Sequence, residues 1–78
     1  MTMEQIDFFL MTVRCDTFLE AAENLHIAQS TLSKQIQKLE SELNLTLFDR
    51  TRRQAVLTPA GELFCQEASE LSRQYHQM

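Results

Sequence analysis

The chain has 78 residues, which makes one small domain near the lower limit for a core held without disulfides or metal. Hydrophobic residues account for 44% of it, which excludes a disordered chain, and one Gly, one Pro and no Trp leave little room for a turn-rich all-β fold. A net charge of −4 counts against a polyanionic partner until its distribution along the chain is considered.

Helices should therefore dominate, and the first signals are helical. Thr2 followed by Gln5 predicts a capping pair that opens helix 1, whose apolar stripe is Ile6, Phe9, Leu10 and Val13. Asp16 breaks that pattern. Thr17 with Glu20 repeats the capping signal and opens helix 2, which carries Phe18, Ala21 and Ala22 and runs to about Leu25. His26, Ile27 and Ala28 make a tight turn, with Ile27 as an apolar plug into the core. Helix 3 runs from about Gln29 to about Leu43, and its apolar set, Leu32, Ile36, Leu39 and Leu43, stays on one side of an α-helix. The opposite side carries Ser30, Ser33, Lys34, Gln37 and Lys38, with Thr31 and Gln35 on the flanks. Asn44 can take the left-handed conformation that ends the helix.

The period then changes. Leu45-Thr46-Leu47-Phe48 and Ala55-Val56-Leu57 flank the charged string Asp49 to Gln54, which predicts a small two-stranded hairpin. Thr58 then Pro59 is a helix start, a cap residue followed by proline at the first helical position. The last helix has its apolar residues at Ala60, Phe64, Ala68, Leu71, Tyr75 and Met78. A stripe still running at the last residue predicts that a second copy, or further sequence, packs there. No internal repeat, low-complexity tract or linker is present.

These elements predict a mainly α fold: a helix-turn-helix within a three-helix core, a short two-stranded wing, and a trailing helix. The winged part covers residues 1–58 and the start of the trailing helix covers 59–78.

Enzyme chemistry finds no foothold. The chain has no Gly-rich phosphate loop, no paired His spacing, and no Ser or Cys with a neighbour that would activate it. Cys15 and Cys65 read as reduced, half-buried thiols, and His26 and His76 are too isolated to suggest a metal site. No apolar run approaches a membrane span and the N-terminus lacks a basic start, so a cytoplasmic protein with no membrane partner is expected.

The polar side of helix 3 is the sharpest feature. It carries no acid between Gln29 and Lys38, in a chain with 11 acidic and 7 basic residues. From Lys34 to Arg53 five bases (Lys34, Lys38, Arg50, Arg52, Arg53) face three acids, a local +2; the rest sets two bases against eight acids, a local −6. Gln offers a paired donor and acceptor to adenine, Lys reaches guanine or phosphate, and Thr presents a methyl to thymine. A helix with a packed back and such a front, held by a shorter helix ahead of it, is how a helix-turn-helix reads double-stranded DNA. Arg50, Arg52 and Arg53 beside it would meet backbone or the adjacent minor groove, Arg50 alternatively pairing with an acid under the wing. The rival reading is a winged helix that docks a protein partner through its acidic surface.

The run Ala21-Ala22, Leu25, Gln29, Leu32-Ser33, Gln35-Ile36, Leu39-Glu40, Leu43, Leu47-Phe48, Arg50, Leu57-Thr58 and Ala60-Gly61 closely resembles the N-terminal domain of LysR-type transcriptional regulators. The match extends over nearly the whole chain in continuous register. The resemblance implies a winged helix-turn-helix followed by a linker helix, pairs of which pack antiparallel to make a homodimer on an interrupted palindrome. It places Gln29, Ser30, Thr31, Ser33, Lys34 and Lys38 among reading-helix contacts, with Gln35 shared between packing and recognition. It places Arg52 and Arg53 in the wing, gives Arg50 a mixed structural and phosphate role, and sets Thr58 against backbone phosphate at the linker-helix start. Phe64, Ala68, Leu71 and Tyr75 would form the dimer interface. No cofactor is implied for this domain; a small-molecule effector would belong to a separate C-terminal domain. The chain departs from the family pattern at Ser30 (often proline), Ala28 (often serine), Asn44 (often glycine), Leu19 (a small polar residue) and Asp16 (glycine).

Overall fold

Four helices make up the architecture in a computed structural model that describes residues 1–77: α1 (Met3–Arg14), α2 (Phe18–Leu25), α3 (Gln29–Leu43) and α4 (Pro59–His76). Each starts where a local cap dictates. Thr2 and Gln5 form a reciprocal capping box at α1, each side chain accepting a hydrogen bond from the other's backbone N–H at 3.1 Å. Thr17 accepts from the Glu20 N–H at α2, and Thr58 accepts from the Gly61 N–H at α4 with Pro59 behind it. Only α3 starts on a residue without a capping side chain, Ala28.

Two helices end on left-handed residues that are not glycine. His26 (φ 58°) closes α2 and Asn44 (φ 55°) closes α3. In both, the next amide reaches back into the helix, Ile27 to the Ala22 carbonyl at 3.1 Å and Leu45 to the Glu40 carbonyl at 3.0 Å. The first of these reversals is the turn between α2 and α3, and it brings the two helices into contact.

The core lies where α1 meets the other three helices. Ile6, Phe9, Leu10, Ala21, Ala22, Leu32, Ile36 and Leu39 are buried in it, joined by Leu47 and Phe48 from the segment after α3. Phe9 is its aromatic centre, with ring centroids 5.5 Å from Phe48 and 5.1 Å from Phe64. Ile27 packs against the cluster from the turn.

The expected wing is a short antiparallel pairing: the bridge of Phe48 with Leu57 is flanked by the Asp49 N–H donating to the Val56 carbonyl at 2.8 Å and the Thr58 N–H donating to the Leu47 carbonyl at 2.9 Å. Asp49 spends its side chain on the reversal, accepting from the Thr51 N–H and hydroxyl. Further side-chain and backbone bonds fasten the wing to the helices. Glu40 of α3 accepts from the Leu47 and Phe48 N–H groups and from Arg50, while the Ala55 N–H donates to the Asp16 carbonyl at 2.9 Å.

The helix α4 corrects part of the expected dimer face. Ala68 is 2% exposed and packs in the domain's own core, which takes it out of an outward face, while Phe64 lies edge-on against Phe9 and stays half-buried at the surface beside Leu63. The physical reason is that α1 takes the first part of the stripe for itself. Leu71 and Tyr75 remain exposed, and Leu63 is the most exposed large apolar residue at 67%. Met78, the last residue of the expected stripe, lies outside the described residues.

Candidate nucleic-acid interface

The packed back of α3 is buried as its period demands, at Leu32, Ile36 and Leu39, and this fixes which side looks outward. Gln29, Ser30, Thr31, Lys34, Gln37 and Lys38 are exposed, and Ser33 is half-buried at the edge next to the wing. The outward face therefore carries amides, hydroxyls and two ammonium groups without a carboxylate from Gln29 to Lys38. Among the described residues, Lys34, Lys38 and Arg53 form no ion pair. Cations left unpaired on an exposed face are available to an external anion.

Gln35 has a different task. Its side-chain oxygen accepts from Gln5 Nε2 at 3.1 Å, and Gln5 is 6% exposed, so this pair ties the cap of α1 to the middle of α3. Arg50 is likewise committed inward. Its guanidinium donates to Glu40 at 2.7 Å and stacks over Phe18, 5.0 Å from the ring centroid, and over Phe48 at 5.9 Å. The pairing with an acid under the wing, one of its two expected roles, is what the geometry shows. The Thr58 hydroxyl donates to the Thr46 carbonyl while accepting from Gly61, so it too serves the fold.

Arg52 and Arg53 occupy the exposed tip of the wing, on the same side of the molecule as the first turns of α3. Arg52 lies 3.5 Å from Asp49 across a solvent-exposed pair. The Thr51 hydroxyl and backbone N–H hold the Asp49 carboxyl below the usual carboxylate range, with the Arg52 charge adding a smaller pull. With Arg50 on Glu40 and Arg52 beside Asp49, Arg53 is the wing arginine without an ion pair among the described residues. Glu40 and Gln5 are the positioning residues that periodicity did not single out; both are polar groups on packed faces, the signal by which such residues can be found.

A reading helix with an acid-free outward face, backed by α2 and flanked by a basic wing, defines a winged helix-turn-helix domain. The family model described as "Bacterial regulatory helix-turn-helix protein, lysR family" matches residues 3–62. The chain belongs to the LysR family of bacterial regulatory helix-turn-helix proteins. Among its relatives, the uncharacterized HTH-type transcriptional regulator YcgK of Bacillus subtilis is 44% identical over 73 residues, covering 94% of this chain and 22% of the relative. BenM of Acinetobacter baylyi, an HTH-type transcriptional regulator, is 40% identical over all 78 residues, which are 26% of its length. The chain therefore spans about a quarter of the length of these curated relatives. The crystal structure of the BenM DBD in complex with catB site 1 DNA superposes with a TM-score of 0.95 at 40% identity, covering 100% of this chain and 84% of that one. The CbnR DBD–DNA complex gives a TM-score of 0.93 at 28% identity over 99% of this chain and 88% of that one. Among the described residues no helix is long and apolar enough to cross a membrane.

Proposed function

We propose that this chain is the operator-reading domain of a transcription regulator, binding double-stranded DNA sequence-specifically with α3 in the major groove. The observation that carries it is the acid-free, outward face of α3 in a fold that superposes on DNA-bound relatives with a TM-score of 0.95. Gln29, Ser30, Thr31, Ser33, Lys34 and Lys38 supply the base-edge and nearby phosphate contacts, and Arg52 and Arg53 hold the backbone or enter the adjacent minor groove. Base contacts carry selectivity; the cations carry affinity that weakens with salt.

The domain works as a homodimer on an interrupted palindrome, through the outward ridge of α4 that bears Leu63, Leu71 and Tyr75. Leu71 lies eight residues after Leu63 and four before Tyr75, spacings that keep neighbouring members on one side of a helix and favour burial against a second copy. The regulator acts in the cytoplasm, and a small-molecule effector is bound by a separate C-terminal domain of a longer parent protein; the chain spans about a quarter of the length of its curated relatives. The domain itself needs no cofactor and performs no catalytic step. The rival reading, a protein-docking module, rests on the acidic total alone, and no acid lies on α3 between Gln29 and Lys38.

Selection from a random duplex library at low salt, with sequencing of the bound pool, tests this directly. An interrupted inverted repeat is the expected product. A bound pool identical to the input, from a domain with a cooperative melting transition, would overturn the reading.

A further inference from the structure

Leu19 is 55% exposed in the first turn of α2, although two residues of that same turn region are well placed to be covered: Phe18 stacks on Phe48, and Ala21 is fully buried. The leucine lines an open groove with Gln29 and Ser33 from the start of α3 and Arg52, Arg53 and Gln54 from the wing. Phe18 is the other apolar wall; the rest are polar or cationic apart from Asp49, whose carboxylate lies 3.5 Å from Arg52. Leu19 belongs neither to the core nor to the side chains packed on it, so it is open to whatever occupies the groove.

We propose that the groove between α2, α3 and the wing seats one strand of the duplex, and that Leu19 packs on the apolar face of a deoxyribose in that strand. The inference rests on the DNA reading above and extends it to a residue outside the polar contact set. Three features choose the sugar. The groove meets only the wing-side edge of α3, at Gln29 and Ser33, and not Lys34 or Lys38 on the outward face. A strand flanking the major groove would therefore pass here, rather than the base edges. The two wing arginines suit its phosphates, with Gln29, Ser33 and Gln54 as neutral donors between them. A deoxyribose alternates with each phosphate and offers C–H surface, and that is what an exposed leucine set among arginines can bury.

The contact is apolar, so it releases no counterions, and this separates it from every charged contact in the groove. The test measures duplex affinity of the chain and of Leu19→Ala over a range of salt, on the selected operator, on a scrambled duplex, and on an operator with uracil replacing thymine. Leu19→Ala should lose about fivefold on all three, with an unchanged slope of log affinity against log salt. Leu19→Ser should lose at least as much, and both variants should keep the parent's melting temperature, because the side chain is outside the core. Equal binding by Leu19→Ala and the parent would overturn the inference while leaving the DNA reading intact. A loss that vanishes on the uracil duplex would overturn it in favour of a thymine methyl as the leucine's partner. Failure of the parent chain to bind any duplex would instead sink the DNA reading itself.

Discussion

Ala28 leaves the reading helix without a side-chain cap, although its backbone (φ −69°, ψ 145°) already has the extended conformation a capping residue needs. A serine there would accept from an orphan amide of the first turn without moving the chain. Ala28→Ser should therefore stabilise the domain by about 1 kcal/mol, which raises the melting temperature of a domain this size by roughly 4–8 °C. No change on thermal unfolding would mean that those amides are already satisfied. Gly61 presents the opposite case. A Cβ at that position would lie 2.1 Å from the Leu47 carbonyl oxygen, which also accepts from the Thr58 N–H. Alanine gains about 1 kcal/mol in helix propensity, but a clash with fixed backbone costs more than that. Gly61→Ala should lose ~2 kcal/mol net; an equal or higher melting temperature would show that α4 can slide off Leu47.

At the scale of elements, the sequence was legible wherever the determining contact is local. The starts at Thr2, Thr17 and Thr58 and the stops at His26 and Asn44 rest on bonds within four or five residues, so short motifs reveal them. The back of α3 was equally plain, since 3.6-residue periodicity alone sorts Leu32, Ile36 and Leu39 from the polar face. What a stripe packs against is another matter. On α4 the period marked Phe64 and Ala68 correctly as apolar-facing, but only the fold shows that α1 covers them. The α1 helix reaches the end of α4 as well, Asp7 lying 3.5 Å from the Ser72 hydroxyl and from His76 Nε2, so Leu63, Leu71 and Tyr75 are exposed because they face away from it. The wing was legible as a reversal but not in its fastening, because Glu40 reaches Leu47, Phe48 and Arg50 across seven to ten positions. That carboxylate ties the wing to the reading helix. Glu40→Ala would leave two backbone N–H groups and a guanidinium without their acceptor, at a cost of ~2 kcal/mol or more. Thermal unfolding should show a fall of roughly 10 °C, and Glu40→Gln, which keeps one acceptor, should lie between the two. A Glu40→Ala domain that melts with the parent would mean the wing is held by Phe48 and Leu57 alone.

The whole molecule sets a cationic face on an acidic body. Five bases against three acids lie between Lys34 and Arg53, and eight acids against two bases elsewhere, for a total of −4. A polyanion approaching from most directions is repelled, and the attractive sector is narrow, so orientation is selected before contact. Of the five bases Arg50 is occupied by Glu40. The 3.5 Å contact of Arg52 with Asp49 is solvent-exposed and weak enough to yield to phosphate, which leaves Lys34, Lys38, Arg52 and Arg53 to neutralise it. If each of the four replaces one condensed counterion, log affinity should fall with log salt at a slope of about −3.6 per bound chain. Arg53→Ala should reduce that slope by about 0.9 and weaken operator and scrambled duplex alike, the pattern of a phosphate contact. Lys34→Ala, on the outward face of α3, should cost operator binding more than scrambled-duplex binding if it reads a base. Glu70→Ala lies on α4, where Glu70 pairs with Arg73, and should leave both slope and affinity unchanged. Titration of labelled duplex at several salt concentrations resolves all three variants. Equal losses for Lys34→Ala and Glu70→Ala would move the interface off α3, and a flat salt dependence for the parent would mean that its cations never meet phosphate.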